Sequence, residues 1–387
     1  MGDGIVLAGI NGANPLGFLA ALGAHRVLST SAPADSPALL RWTQSEGAWR
    51  PVLAGGGCND EATIVQRIHA ACCRKPDATI AKVRQQTGAL EKQYQDAKKV
   101  LDKETRKKLA EIKGLRGEEA KAKKAEIEGS LAPLRTEATG RRKEWLDSLK
   151  NSVVFPHLRL GKNLSVTPEE FRTFAVECLE AAARGDRGWP DHTASYGCES
   201  IVREGEGGLI APTEFCFLFG SGHQHYLETM GKLAEQVEPG HLKRALFHPW
   251  DYGDERLSMR WDPADARAYA LRWAEPEGDT PMTMWGANLL ACEGAAMHPT
   301  MPETHRLGTT GFSGQGAGAV FRWPIWEAPV TVDVVRSLLA FREIQKQPLD
   351  STVLMQSGFV EVFQATKVKV GDSRNYKWSF SIAAPSE

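Results

Sequence analysis

The sequence predicts an α+β protein, a mixed globular core interrupted by an inserted antiparallel helical hairpin with coiled-coil spacing. Three observations lead there. Short apolar runs such as Leu39 to Thr43 and Trp49 to Leu53, separated by polar turn residues, read as strands. Leu16, Leu19, Ala20 and Gly23 share one helical face, widened by Phe18, Leu22 and Val27, and read as a strongly buried helix. From about Asp77 to Lys150 the chain turns Lys/Glu/Ala-rich with one proline and a different period. The 387 residues fit two or three domains, or one large core with an insertion. The division expected is 1–76 as the N-terminal α+β part of the core, 77–150 as a basic helical hairpin, and 151–387 as the main α+β domain.

Within the first part, Ile5 to Ala8 reads as a short strand and Gly9 to Asn14 as turn residues. Pro15 suits a first helical turn, where its missing N–H is not needed. Asn59 and Asp60 can cap a helix carrying Ile64, Ile68 and Ala71.

In the second part, Ile80, Val83, Thr87, Leu90, Tyr94, Ala97 and Leu101 alternate spacings of three and four, the seam of a coiled coil. Lys108 breaks the seam, and Gly114 and Gly117 bracket a turn. Ala120, Ile127, Leu131, Leu134, Trp145 and Leu149 return as a second stripe, with a kink expected at Gly129 and Pro133. Each arm, at roughly 33–37 residues, would reach about 50 Å at 1.5 Å per residue.

In the third part, Thr167-Pro168-Glu169-Glu170 is a capping box with proline at the first helical position. The helix it opens carries Phe171, Phe174, Val176, Cys178 and Leu179. Glu214 to Phe219 reads as a buried strand, Gln224 to Val237 and His241 to Phe247 as helices. Met259 to Trp261 and Tyr269 to Trp273 read as strands around an Asp262-Pro263 turn. A small-residue-rich helix spans Trp285 to Met297. Val320 to Trp326, a helix from Val332 to Phe341, and strands near Val353–Phe363 and Lys377–Ile382 complete the pattern.

Composition narrows the functional classes. Hydrophobic residues make up 42% and charged residues 25%, an ordinary globular balance. No apolar run approaches the roughly 20 residues that span a bilayer, and Met1 to Val6 lacks a basic n-region. Seven cysteines with no C-x-x-C pair fit free buried thiols in a reducing compartment, so a cytoplasmic protein is expected. Net charge is −1 overall, yet residues 82–150 hold 19 Lys/Arg against 12 Asp/Glu, while the remainder hold 28 against 36. A basic segment of that kind points to a polyanion or an acidic partner.

Catalytic motifs do not emerge. There is no G-x-x-x-x-G-K-[ST], H-E-x-x-H or G-x-S-x-G, and Gly314-x-Gly316-x-Gly318 precedes a strand, so it reads as a flexible loop. His223 and His225 form a pair without a local third ligand, so no metal or other cofactor is expected. Gly220, Ser221 and Gly222, opening a helix at Gln224, would present N–H groups to a phosphate; an ordinary capped helix start is the alternative. His248, Asp251 and Asp254 could meet a divalent ion in a nuclease, but also read as a turn-rich loop. Basic and aromatic residues interleave in two strips. One holds Arg256, Arg260, Trp261, Arg272 and Trp273, the other Lys367, Lys369, Arg374, Lys377 and Trp378. Lysine and arginine neutralise phosphates and aromatic faces stack bases, so these are candidate nucleic-acid contacts, with Arg141, Arg142 and Lys143 on the hairpin.

Several stretches carry a resemblance. Asn14-Pro15-Leu16-Gly17-Phe18-Leu19-Ala20-Ala21-Leu22-Gly23 resembles the N-terminal helix of proteins encoded with type I-G (formerly I-U) CRISPR systems. So do Trp250-Asp251-Tyr252-x-Asp254, Ser258-Met259-Arg260-Trp261-Asp262-Pro263 and Tyr269-Ala270-Leu271-Arg272. Gly286-Ala287-Asn288, Thr309-Thr310-Gly311-Phe312 and Trp323-Pro324-Ile325-Trp326 fit the same pattern. The resemblance covers the first 50 residues and roughly 210–345, and not the hairpin. It implies a large-subunit-like component of an RNA-guided surveillance complex, without chemistry of its own. The partners it implies are guide RNA, double-stranded DNA near a short flanking motif, companion effector subunits and a helicase–nuclease. The rival readings are a coiled-coil adaptor that binds only protein, or an accessory module, and a metal-dependent nuclease.

Overall fold

The computed structural model describes residues 4–33, 35–73, 78–113, 115–148, 159–183, 188–203, 208–217, 225–264, 282–371 and 376–386. They form two compact units, one of Met1–Lys75 with Leu160–Glu387 and one of Pro76–Arg159. The class is α+β.

The first unit opens with β1 (Ile5–Val6) and α1 (Pro15–Thr30), then β2 (Ala38–Ser45), β3 (Ala48–Gly55) and α2 (Glu61–Cys72). The second unit is α3 (Ala78–Glu111) and α4 (Gly117–Ser148). The first unit resumes with α5 (Pro168–Ala183), α6 (Gly188–Tyr196), β4 (Gly197–Val202), β5 (Ile210–Pro212), α7 (Tyr226–Gln236) and α8 (Pro239–Phe247). Then follow β6 (Asp254–Glu255), β7 (Met282–Thr283), α9 (Trp285–Ala295), β8 (Thr300–Pro302), β9 (Leu307–Thr309), β10 (Phe312–Ser313) and β11 (Val320–Trp326). The chain ends through α10 (Val332–Leu339), a 3-10 turn (Arg342–Gln345), α11 (Ser351–Gln356), β12 (Phe359–Gly371), β13 (Tyr376–Phe380) and β14 (Ala384–Pro385).

Helix α1 begins where the sequence placed it. The Asn14 side chain accepts from the Gly17 N–H at 3.2 Å and Pro15 fills the first turn. Leu19 and Leu22 are fully buried. The helix packs on α9 with almost no space between backbones: a Cβ on Gly23 would fall 1.8 Å from the Leu290 carbonyl oxygen, and one on Gly294 2.0 Å from that of Leu19. Small residues on both helices permit this approach. On its other side Phe18 stacks on Trp42, with Trp323 and Trp326 completing an aromatic cluster. The indoles of Trp323 and Trp326 donate to the carbonyls of Gly12 and Leu40 at 2.8 and 3.1 Å, so their polar edges are satisfied inside the core.

Strands β1, β3 and β2 form a small antiparallel sheet in that order. The β2–β3 turn is Glu46-Gly47 with φ of 52° and 73°, the left-handed pair that matches strand twist in a two-residue hairpin. A larger sheet runs β10-β11-β12-β13, with β14 also on β12. The capping box at α5 is closed by both Thr167 and Glu170.

In the second unit, α3 and α4 run antiparallel. Tyr94 stacks on Trp145 with ring centroids 5.6 Å apart, and Lys123 reaches Glu111. Thr87, Ile127, Leu131, Ala138 and Trp145 are buried. Lys108, expected to break the seam, stays on it by sending its Nζ to the Ser130 hydroxyl at 2.5 Å. Helix α4 continues through Pro133, whose ring is exposed.

Three expectations need correction. Met259 to Trp261 is a buried loop: the Asn288 and Ser258 side chains, not a neighbouring strand, accept from the N–H groups of Met259 and Arg260. Of the strand expected over Glu214 to Phe219, residues 214–217 form a turn closed by Cys216 N–H to the Thr213 carbonyl at 3.0 Å, and 218–219 lie outside the described residues. Val353 lies in α11, which precedes the strand. Helix α5 carries the five residues expected of it, with Phe171, Phe174 and Cys178 on its inner face and Val176 and Leu179 facing outward. Tyr269 to Trp273 lies outside the described residues.

Candidate nucleic-acid interface

The described part of the second strip lies on the β12–β13 ribbon. Alternation along β12 puts Lys367 and Lys369 on one face of the strand. Register sets Lys369 opposite Trp378 and Lys367 opposite Phe380. The two lysines have different fates. Lys367 is buried, 5% exposed, and its Nζ donates to Glu214 Oε2 at 2.9 Å and to the Glu214 carbonyl at 3.0 Å. Its ammonium also lies 4.8 Å from the Phe217 ring and 5.4 Å from that of Trp378. Lys369 is exposed and stands 5.3 Å from the same indole. Trp378 thus carries cation–π contacts with one buried lysine and one exposed lysine.

The glycine loop before β11 is tied to this pair. Gly316 N–H donates to Glu214 Oε2 at 3.2 Å, Gly318 N–H to the Lys367 carbonyl at 2.9 Å, and Lys367 N–H to the Ala319 carbonyl at 2.7 Å. Gly314, Gly316 and Gly318 have φ of 81°, 60° and 85°, and no atom would obstruct a Cβ on Gly316 or Gly318. The loop backbone is therefore open to solvent and anchored at its base. Sequence reading missed Glu214 as its organiser. The available signal was a lone carboxylate beside Phe215-Cys216-Phe217, which needs a cation once buried. Burial also pushes the Cys216 thiol up to about 12, which makes it a poor nucleophile.

The described part of the first strip does not form such a surface. Arg260 is 6% exposed and Trp261 wholly buried, its indole donating to the Phe215 carbonyl at 3.1 Å. Neither is presented to a phosphate or a base, because the loop that carries them folds inward. Tyr252, Arg256 and Arg260 all adopt positive φ, and Asp262 gathers donations from Asn14 Nδ2, Tyr252 OH and Ala264 N–H at 2.9–3.0 Å. Arg256 is exposed. On the hairpin, Lys143 is exposed while Arg141 is half-buried and occupied by Gln93 and Glu144. Arg142 is half-buried. Arg272, Arg374, Gly220, Ser221, Gly222 and Gln224 lie outside the described residues, as does the side chain of Lys377, whose backbone pairs with Val370. The helix expected to open at Gln224 starts at Tyr226, with His225 as a cap that makes no side-chain capping bond.

The carboxylates considered for metal chemistry face a cation instead. Arg244 bridges Asp251, at 3.2 Å, and Asp254, whose other oxygen accepts from the Trp285 N–H at 2.8 Å. His248 caps the end of α8. Among the described residues no three His, Cys, Asp or Glu side chains converge as a metal site, and no helix is long and apolar enough to cross a membrane.

Comparison with known proteins returns no matching family model, no matching curated protein and no matching solved structure.

Proposed function

We propose that this chain is a non-catalytic, cytoplasmic, nucleic-acid-binding subunit of an RNA-guided type I CRISPR surveillance complex. In this reading it contacts target DNA near the flanking motif and helps recruit the helicase–nuclease. The observation that carries the binding role is the exposed Lys369 over Trp378, beside a glycine loop fixed open by the Glu214–Lys367 pair. A cation for phosphate, a ring for stacking and accessible backbone are the parts such a surface needs. The resemblance motifs support a shared scaffold over a reaction centre. Asn14 binds Asp262, Asn288 binds the Met259 N–H, and the Phe18 ring packs on Trp323, so four of the motifs brace one another.

The test is co-expression with companion subunits and guide RNA, followed by duplex binding across a salt series. K369E with K377E should weaken binding and lower the salt slope by about 0.9 for each phosphate no longer neutralised. Unchanged binding, or a chain that never co-migrates with guide RNA and its companions, would hand the reading to a protein-binding adaptor.

A further inference from the structure

The charge of the helical hairpin is concentrated at its distal half. Lys98 to Lys124 hold 11 Lys/Arg against 5 Asp/Glu, which is +6 of the +7 carried by residues 82–150. On α3, Lys92, Lys99, Lys103, Arg106 and Lys107 fall within about 100° of arc at helical periodicity. All five are exposed. Thr87, Tyr94, Leu101 and Lys108, which line the side turned to α4, lie half a turn away. The stripe points away from the seam.

Pairing separates this end from the base. Among the described residues, Lys98, Lys103, Arg106, Lys107, Lys113, Arg116 and Lys124 have no acidic side chain within ion-pair distance. At the base, Arg141 is already paired with Glu144 at 3.2 Å. The aromatic side chains of the two helices, Tyr94 and Trp145, are spent on each other. The distal half therefore offers cations and no ring on which a base could stack.

We propose that the distal half of the hairpin binds double-stranded DNA through its phosphates alone, with Lys99, Lys103, Arg106 and Lys107 as the contact and with no preference for sequence. This rests on the nucleic-acid reading above and adds a second, sequence-blind contact to it. Duplex DNA matches the stripe best because it carries one negative charge per roughly 1.7 Å of axis. Single strands are gripped by stacking rings, which this end lacks. Protein interfaces need an apolar centre, and the two large apolar side chains exposed at this end of α3, Val100 and Leu109, lie half a turn apart and form none.

The experiment titrates a labelled random-sequence duplex, and the corresponding single strand, with the full chain over a salt series. K103E/R106E/K107E is compared with K232E/K243E/K346E, which alters net charge equally at exposed lysines of the first unit. The distal variant should bind duplex at least about tenfold more weakly at low salt, by the same factor for every sequence, with a salt slope shallower by about 2–3. The control variant should stay near wild type. K103Q/R106Q/K107Q, which adds no repulsion, should fall between wild type and the reversal. Equal loss in both reversed variants, loss in neither, or a wild-type preference for single strand each overturns the proposal. A wild-type chain that binds neither nucleic acid removes the broader reading as well, an outcome distinct from wild-type binding that survives distal reversal.

Discussion

Gly23 and Gly294 occlude each other across the α1–α9 crossing. A Cβ built on either would lie about 3 Å from the other's backbone nitrogen and far closer to a carbonyl, at 1.8 and 2.0 Å respectively. Gly294→Ala should therefore destabilise the core by about 3 kcal/mol, the upper end for overpacking, because only movement of a whole helix relieves the overlap. Gly129→Ala, in open space on α4, should stabilise by about 0.5–1 kcal/mol through the unfolded chain. Urea titration of both variants checks the pair.

Leu22→Ala tests the same helix from its apolar side. The side chain is fully buried, so the loss should be about 2–5 kcal/mol. A change under about 0.5 kcal/mol in a denaturant titration would remove α1 from the core.

The Glu214–Lys367 pair should behave as a unit. Lys367→Met leaves a buried carboxylate with only the Gly316 N–H, and should cost about 3–5 kcal/mol. Adding Glu214→Gln should recover much of that loss. A double-mutant cycle measures the coupling, and additive effects would show that the pair is incidental.

Acid should loosen the α1–α9 layer. Burial lowers both His25 and His298 to about 4, partly offset by the ring N–H donations to the Ala38 and Gly294 carbonyls. Their folded pKa lies below the unfolded 6.5, so the unfolded chain binds more protons between those values. Stability is therefore full above about pH 6.5 and falls as pH drops towards 4, by on the order of 3 kcal/mol per histidine. Thermal melts between pH 7 and about 4 check this, with His298→Asn expected to flatten the profile.

Much of the fold was legible where local signals and tertiary packing agree. Pro15 after Asn14, the Thr167–Glu170 box and the Glu46-Gly47 turn each act within a few residues, and each element forms there. The failures share one cause. Met259 to Trp261 alternates like a strand, but its N–H groups are met by side chains, one of them on α9. Lys367 looked like a surface cation, yet the carboxylate that makes its burial tolerable lies 153 residues away. Lys369, two positions on, kept the exposure that its sequence implied. Periodicity reports which side a residue faces, not whether that side is covered.

The α1–α9 crossing also bears on biosynthesis. Pro15 leaves the ribosome about 270 residues before Trp285, which at roughly 5–20 residues per second is a wait of roughly 15–50 s. Through that interval the nascent chain carries Phe18, Leu19 and Leu22 without their final partner. Helices α3 and α4 need only each other and can close during the same interval. The hairpin can then close before the apolar face of α1 is covered, which leaves this N-terminal helix open to a ribosome-associated chaperone.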